Sequence, residues 1–135
     1  MKHLSKLSSF FAFPIFVYLI HLITKEILKL YALFPKIDIP FHYMGGFAIA
    51  FTSAQILSYL EKQRITPVLN RVLFFIMVVA LTATAATFWE FAEFISDQVF
   101  NTHLQPSIAN TMQDQFIGIL GGATWAFIYY RKMLE

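Results

Sequence analysis

The chain has 135 residues and a formal net charge of +2; 58% of its residues are hydrophobic and only 13% are charged. A soluble domain has about 45–50% apolar and about 25% charged residues, and a core this small cannot bury all sixteen Phe, because small domains leave much of their surface in water. The composition therefore argues against a soluble globule and favours a membrane protein; the small net charge indicates no nucleic-acid partner, and the lack of Cys excludes thiolate catalysis and Cys-ligated zinc.

Four apolar runs divide the chain, and each predicts a helix that crosses a membrane. A span needs about 20 mostly apolar residues, so four spans use most of the chain and leave no room for a second, soluble domain. We therefore predict an all-α fold, a single polytopic four-helix transmembrane domain over residues 1–135. The predicted spans cover residues 7–23, 41–60, 72–96 and 115–130.

The first apolar run follows two Lys residues and so has the charge pattern of a signal peptide. Its bulky end, residues 20–22, offers no small-x-small cleavage site, so we expect the run to be retained as the first helix. The next stretch, residues 25–40, is amphipathic and is expected either to extend that helix into the interface or to lie along the interface, ending at Pro35. Asp38 is predicted to be the N-cap of the second helix.

Basic residues predict the orientation of the bundle, because Lys and Arg collect on the cytoplasmic side of membrane proteins. With a cytoplasmic N-terminus, seven of the ten Lys and Arg residues lie inside, and the loop over residues 97–114 faces outward without any. We therefore expect a multi-pass protein of the inner cell membrane with both termini in the cytoplasm. The basic residues on the predicted inner side are Lys2, Lys6, Lys62, Arg64, Arg71, Arg131 and Lys132.

Helical spacing places acidic residues at the outer ends of three predicted helices, in line with faces made of small residues. Such faces allow membrane helices to approach closely, and Gly118-xxx-Gly122 has the GxxxG form, which also predicts a homo-oligomer contact. The acids should therefore converge on a polar pocket in the outer half of the bundle. The three faces are Asp38-His42-Gly46-Ala50-Ala54, Ala83-Ala86-Glu90-Glu93-Asp97 and Asp114-Gly118-Gly122-Ala126.

The predicted pocket centres on Glu90, Glu93 and His42, which are the candidate catalytic residues. Glu90 lies among aromatic residues, where an ionised carboxylate is costly unless a proton or a cation is bound. Carboxylate oxygens together with an imidazole suit a divalent metal such as Zn, Mn or Mg. The candidate metal ligands are His42, Glu90, Glu93, Asp114, Asp38 and Asp97.

Simpler explanations exist for three of the polar residues. Asp97 and Asp114 bracket a polar loop and would be solvated if they only mark the ends of spans. For these two, the ligand and the boundary interpretations both stay open. His21, on an apolar face, is expected to be a hydrogen-bonded interior residue more often than a ligand.

Three motifs, in this order, resemble the YjdF-like family of small bacterial inner-membrane proteins and, more distantly, the VanZ-like family. An Asp-x3-His before Gly-Phe begins at Asp38, an aromatic-Glu-x2-Glu helix at Trp89, and a Thr-x2-Asp before a Gly-rich helix at Thr111. Two departures are Asn110, where the pattern has Asp, and an outer loop without the Gly-Thr-Gln-Gly-Asp-like run. The resemblance covers residues 36–126 and implies the architecture and the position of the site; its VanZ-like side implies a link to envelope lipids or glycopeptide resistance.

Three functions from different classes fit these residues, and they leave open whether the protein is an enzyme. The first is a metal-dependent enzyme at headgroup depth that acts on a lipid or lipid-linked envelope substrate. The second is a proton- or cation-coupled carrier or channel that uses the same acids as a relay. The third is a non-catalytic scaffold that binds a cation for folding alone. Membrane lipids are the expected partners in all three.

Overall fold

A computed structural model describes residues 9–132, and this part of the chain is all-α, without a strand. It contains four long helices, the number that the apolar runs predict. The helices are α1 (Ala12–Leu22), α2 (Asp38–Lys62), α3 (Arg71–Phe100) and α4 (Ile108–Lys132). The predicted start of the first span at residues 7–8 and the terminal charges Lys2, Lys6 and Glu135 lie outside the described residues.

Three of the helices extend beyond the predicted apolar runs, because their polar end turns are helical too. α4 begins seven residues before the run at 115–130; its 25 residues span about 37 Å at about 1.5 Å per residue. Among the described helices, α3 alone is both long and apolar enough to cross a membrane. The length of α2 and α4 would also suffice, but Gly, Ser, Thr and Gln residues lower their mean hydropathy.

Between α1 and α2 the chain forms short turns in place of the continuous helix that the amphipathic pattern predicts. A π-helical turn (Ile23–Ile27) is followed by Lys29, whose φ of 52° is left-handed and cannot continue a right-handed helix. One α-helical turn (Leu30–Leu33) and a 3₁₀ turn (Pro35–Ile37) then lead into α2. The predicted N-cap role of Asp38 is wrong, because Asp38 is itself the first helical residue and its carboxylate has tertiary partners instead.

α2 and α4 run parallel, and their backbones touch at two glycines. A Cβ on Gly46 would overlap the carbonyl oxygen of Gly118, and a Cβ on Gly121 would overlap the carbonyl oxygen of Tyr43. Only glycine lets two helix backbones approach this closely. The parallel packing brings the beginnings of both helices to one end of the bundle, which we call the Asp38 end.

The face predicted for a homo-oligomer contact is used inside the chain, because Gly118 and Gly122 are both buried. A Cβ on Gly122 would overlap the side chain of Thr82 on α3. At Gly118 a Cβ would make ordinary contacts, 3.6 Å from the carbonyl oxygen of His42 and 3.8 Å from the Cβ of Ala86. This face therefore packs α4 against α2 and α3.

The apolar core lies at the opposite end, which we call the Leu57 end, and large aromatic rings surround it. Trp125 and Tyr129 stack with ring centroids 5.0 Å apart, and Phe74 stacks on Tyr129 at 5.5 Å. Because Phe74 near the beginning of α3 packs here, α3 runs antiparallel to α2 and carries Glu90 to the Asp38 end. The buried core residues are Ala50, Ala54, Leu57, Phe74, Val78 and Ala126.

α1 packs along α2 and leaves an apolar surface outside. The ring of Phe13 meets that of Phe51 edge-on at 5.6 Å, and the Thr52 hydroxyl donates to the Phe10 carbonyl oxygen at 2.7 Å. Large apolar side chains point outward, such as Phe16 on α1, 59% exposed, and Phe88 on α3, 66% exposed. Apolar surface on this scale indicates contact with lipid or with another protein, not with water.

Candidate metal centre

Asp38, His42 and Asp114 form a compact cluster at the Asp38 end of the bundle. One ligand atom from each lies within 4.8 Å of the other two. The His42 Nε2 atom is 3.4 Å from Asp38 Oδ2 and 3.8 Å from Asp114 Oδ2. The i, i+4 spacing places Asp38 and His42 on one face of α2, and the close backbone contact at Gly46 brings α4 with Asp114 against that face.

Asp114 has the least solvent contact in the cluster and an unused hydrogen-bonding atom. Asp114 is 3% exposed, and its Oδ1 atom is buried without a hydrogen-bond partner. A buried carboxylate oxygen left without a partner is energetically costly unless a proton or a cation compensates it. The burial excludes the interpretation of Asp114 as a solvated boundary residue. Its Oδ1 atom is therefore the atom of the cluster for which a bound ligand would compensate the largest cost of burial.

Tyr31, which the sequence did not suggest, completes one side of the cluster. Its hydroxyl donates to Asp38 Oδ1 at 2.9 Å and lies 2.9 Å from His21 Nδ1. A hydroxyl has one proton, so His21 must hold a proton on Nδ1 and donate it to the Tyr31 oxygen. Burial and the neighbouring Asp38 carboxylate raise the pKa of Tyr31, which keeps the phenol protonated as a donor. His21 is thus the hydrogen-bonded interior residue that the sequence favoured.

Glu90 is buried, at 5% exposure, and lines the same cavity as His42 and Asp114. The Gln105 side-chain amide, from the loop between α3 and α4, donates to Glu90 Oε2 at 3.0 Å and to the Glu90 carbonyl oxygen at 2.9 Å. Gln105 therefore holds the Glu90 side chain in one orientation. No pattern in the sequence pointed to Gln105, because its partner lies fifteen residues away on another element.

Glu93 does not line this cavity, although it lies one turn from Glu90. Its Oε1 atom accepts a hydrogen bond from the Trp89 indole at 2.9 Å. A step of three residues rotates a side chain by about 300°, so Glu93 points roughly 60° away from Glu90. The structure therefore groups His42 with Asp38 and Asp114, with Glu90 nearby, in place of the predicted centre of His42, Glu90 and Glu93.

Asp97 lies beyond the predicted span 72–96 and organises the loop after α3. It accepts hydrogen bonds from the Thr102 hydroxyl at 2.6 Å and from the backbone N–H groups of Leu104 and Gln105 at 2.8 and 2.9 Å. These bonds, that of Thr102 first, hold the pKa of Asp97 below its ordinary value. Asp97 is used as a loop acceptor and is not one of the residues that converge on His42.

A bundle of helices with an apolar exterior, one helix long and apolar enough to cross a bilayer, and a polar cluster buried at one end are features of helical membrane proteins. The comparison with protein families agrees with this class. The chain belongs to the family described as "Predicted membrane protein (DUF2238)", which matches residues 2–134. Comparison with curated proteins and with solved structures found no match.

Proposed function

We propose that this protein is a multi-pass protein of the inner cell membrane that binds a divalent metal through Asp38, His42 and Asp114. The observation that carries the proposal is the buried Asp114 Oδ1 atom without a partner, next to two further ligand groups. Two carboxylates and an imidazole suit Zn or Mn better than Mg, which prefers oxygen alone. We also propose the finer resemblance to the YjdF-like and VanZ-like families, which the ordered motifs support.

The orientation is part of the proposal. Both chain ends lie in the cytoplasm, since Lys62, Arg64 and Arg71 between α2 and α3 mark the Leu57 end as the inner side. The Asp38 end then lies in the outer half of the membrane, at the depth of lipid headgroups. α1, α2 and α4 accompany α3 across the bilayer, since α2 and α4 bury Thr52, Ser53 and Asp114 inside the bundle and away from lipid.

The ligand set supports catalysis more than storage of the ion. His42 and Asp114, two of the three protein ligands, line a cavity, and a metal held by three protein ligands leaves a coordination position open, as catalytic metal sites do. When bound, the metal would supply Lewis-acid chemistry to a water molecule and to the ester group of a lipid or lipid-linked envelope substrate. Glu90, held by Gln105 beside the cluster, would accept the proton that the water loses. The water oxygen would bond to phosphorus or carbonyl carbon, and Glu90 would pass the proton to the leaving alcohol oxygen as its bond breaks.

A second candidate, a proton- or cation-coupled carrier, is favoured by one observation. His21, Tyr31, Asp38, His42 and Asp114 form a chain of neighbouring ionisable groups, as a proton relay requires. A carrier also needs access from the other side, and the core with Trp125 and Tyr129 fills the Leu57 end. We therefore rank the metal-dependent enzyme first. Flux into liposomes that persists in an Asp38→Asn, Asp114→Asn double variant would exclude a relay through these acids.

Metal analysis of the protein purified in detergent tests the first candidate. We expect stoichiometric Zn or Mn in the wild type and loss of the metal in His42→Gln and Asp114→Asn. Asp97→Asn is the matched control, because it makes the same chemical change outside the cluster and should keep its metal. Wild-type protein without metal, whose thermal unfolding is unchanged by a chelator, would refute the site. Bound metal that supports folding, with no turnover of lipid phosphates or esters, would favour the scaffold.

A further inference from the structure

We infer that the cavity beside the metal cluster holds one hydrocarbon chain of an anionic membrane amphiphile, which enters sideways between α1 and α3. The inference deepens the proposed function and rests on it for the headgroup, since the bound metal would face that group. That the cavity holds a hydrocarbon chain, as a slot between α1 and α3, is argued separately from its volume, its opening and its lining.

The cavity is an apolar chamber with one polar end. Its volume is about 340 Å³, within the range of about 300–1,000 Å³ that small-molecule sites occupy. Ile49 of α2 and Ala85 of α3 are among its apolar lining residues, and Val17 lines it from α1. The acidic and imidazole groups in its wall, those of His21, His42, Glu90 and Asp114, lie at the Asp38 end, and the Thr82 hydroxyl donates to the Val78 carbonyl oxygen. A ligand that matches such a chamber has a hydrocarbon part and one compact polar head.

The exposed residues of the lining locate the mouth of the cavity. Ile15 and Tyr18 of α1 are 54% and 44% exposed, and Trp89 of α3 is 41% exposed. Because these exposed residues of both helices line the cavity, its opening lies between α1 and α3, next to the edge-on contact of the Tyr18 and Trp89 rings at 5.8 Å. α3 is the helix suited to cross the bilayer, and few residues of its apolar segment are buried inside the bundle. The mouth therefore faces the hydrocarbon that surrounds α3, and a lipid chain can enter without passing through water.

A divalent metal at the polar end would favour an oxygen-rich head, because phosphate oxygens are common ligands of divalent cations. Asp38 and Asp114 would only offset the charge of the cation, and a neutral His42 would add none. An anionic oxygen, such as that of a phosphate, then fills the open coordination position. Free inorganic phosphate has the same head but gains nothing from the apolar lining. The occupant that uses both parts is a lipid-like phosphate with a chain.

Gly45 offers a direct way to block the slot. It lines the cavity, and a Cβ added there would meet no atom within 4 Å. Gly45→Leu should therefore fill the chamber without disturbing the helix contacts, while Ala80→Leu adds a Leu on the exposed face of α3 as a matched control. Should Gly45→Leu fail to fold, Ala85→Leu blocks the cavity from the opposite wall.

The experiment measures binding of dodecyl phosphate and of inorganic phosphate to the purified protein in nanodiscs, together with its metal content. We expect wild type and Ala80→Leu to bind dodecyl phosphate at least about tenfold more tightly than Gly45→Leu does, a difference of about 1.4 kcal/mol, with equal metal content. Equal binding in Gly45→Leu, or equal affinity for inorganic phosphate, would overturn the slot. A metal-free protein in which Gly45→Leu still abolishes chain binding would support the slot and refute the metal centre.

Discussion

The two adjacent glycines of α2 provide a direct test of the packing that assembles the site. Gly45→Ala and Gly46→Ala are the same substitution in the same helix, and each gains about 0.5–1 kcal/mol of helix stability. A Cβ added at Gly45 would enter open space, whereas a Cβ added at Gly46 would overlap the carbonyl oxygen of Gly118. The overlapped atom is backbone and cannot rotate away, so α4 must shift. We expect Gly46→Ala to be less stable than Gly45→Ala by about 1–3 kcal/mol, the usual cost of overpacking.

The same shift should also weaken the metal centre, because Asp114 lies one turn before Gly118 on the displaced helix. Thermal unfolding in detergent gives the stability of the two variants, and metal titration gives the affinity of each. Gly45→Ala serves as the internal control for the change in helix propensity. Equal unfolding temperatures for the two variants would refute the inference that the α2–α4 backbone contact sets the position of Asp114.

Substitutions at three further residues test the hydrogen bonds near the cluster and in the loop after α3. Tyr31→Phe removes the hydroxyl that donates to Asp38, and should lower the free energy of unfolding by about 1.5–3 kcal/mol, measured by thermal unfolding; an unchanged value would show that water replaces the bond. Gln105→Ala leaves the buried Glu90 carboxylate without its donor and should cost about 1–3 kcal/mol, whereas Gln105→Glu, which cannot donate when ionised, should cost at least as much. Asp97→Asn should lower the free energy of unfolding at neutral pH. The difference in this free energy from the wild type should narrow as the pH falls below about 4, the ordinary pKa of an Asp carboxyl group. Because folding lowers the pKa of Asp97, its carboxylate stabilises the folded protein at any pH above its pKa in the unfolded chain, and this stabilisation is lost when the carboxylate is protonated in the folded protein. A difference in the free energy of unfolding that widens in acid would contradict this.

The local features of this protein could be predicted because each depends on a few neighbouring residues. The apolar runs give four helices, and the i, i+4 spacing gives the faces that are buried, among them Asp114, Gly118, Gly122 and Ala126 on α4. The chain also showed that acids lie at one end of these faces. The predicted N-cap at Asp38 is wrong because its carboxylate accepts a hydrogen bond from Tyr31, a tertiary partner, and not from the backbone N–H groups of its own helix.

Which of the acids meet was decided only by the packing of the helices. Gly46 and Gly121 fix the register of α4 against α2, and that register brings Asp114 to His42. A rotation of about 60° along α3 separates Glu93 from Glu90, and the loop at Gln105 folds back to hold Glu90. The spacing of residues along one helix predicts which side chains share a face of that helix. Contacts of a few ångströms between side chains also depend on the distance and rotation between helices, and the sequence of one helix does not determine these.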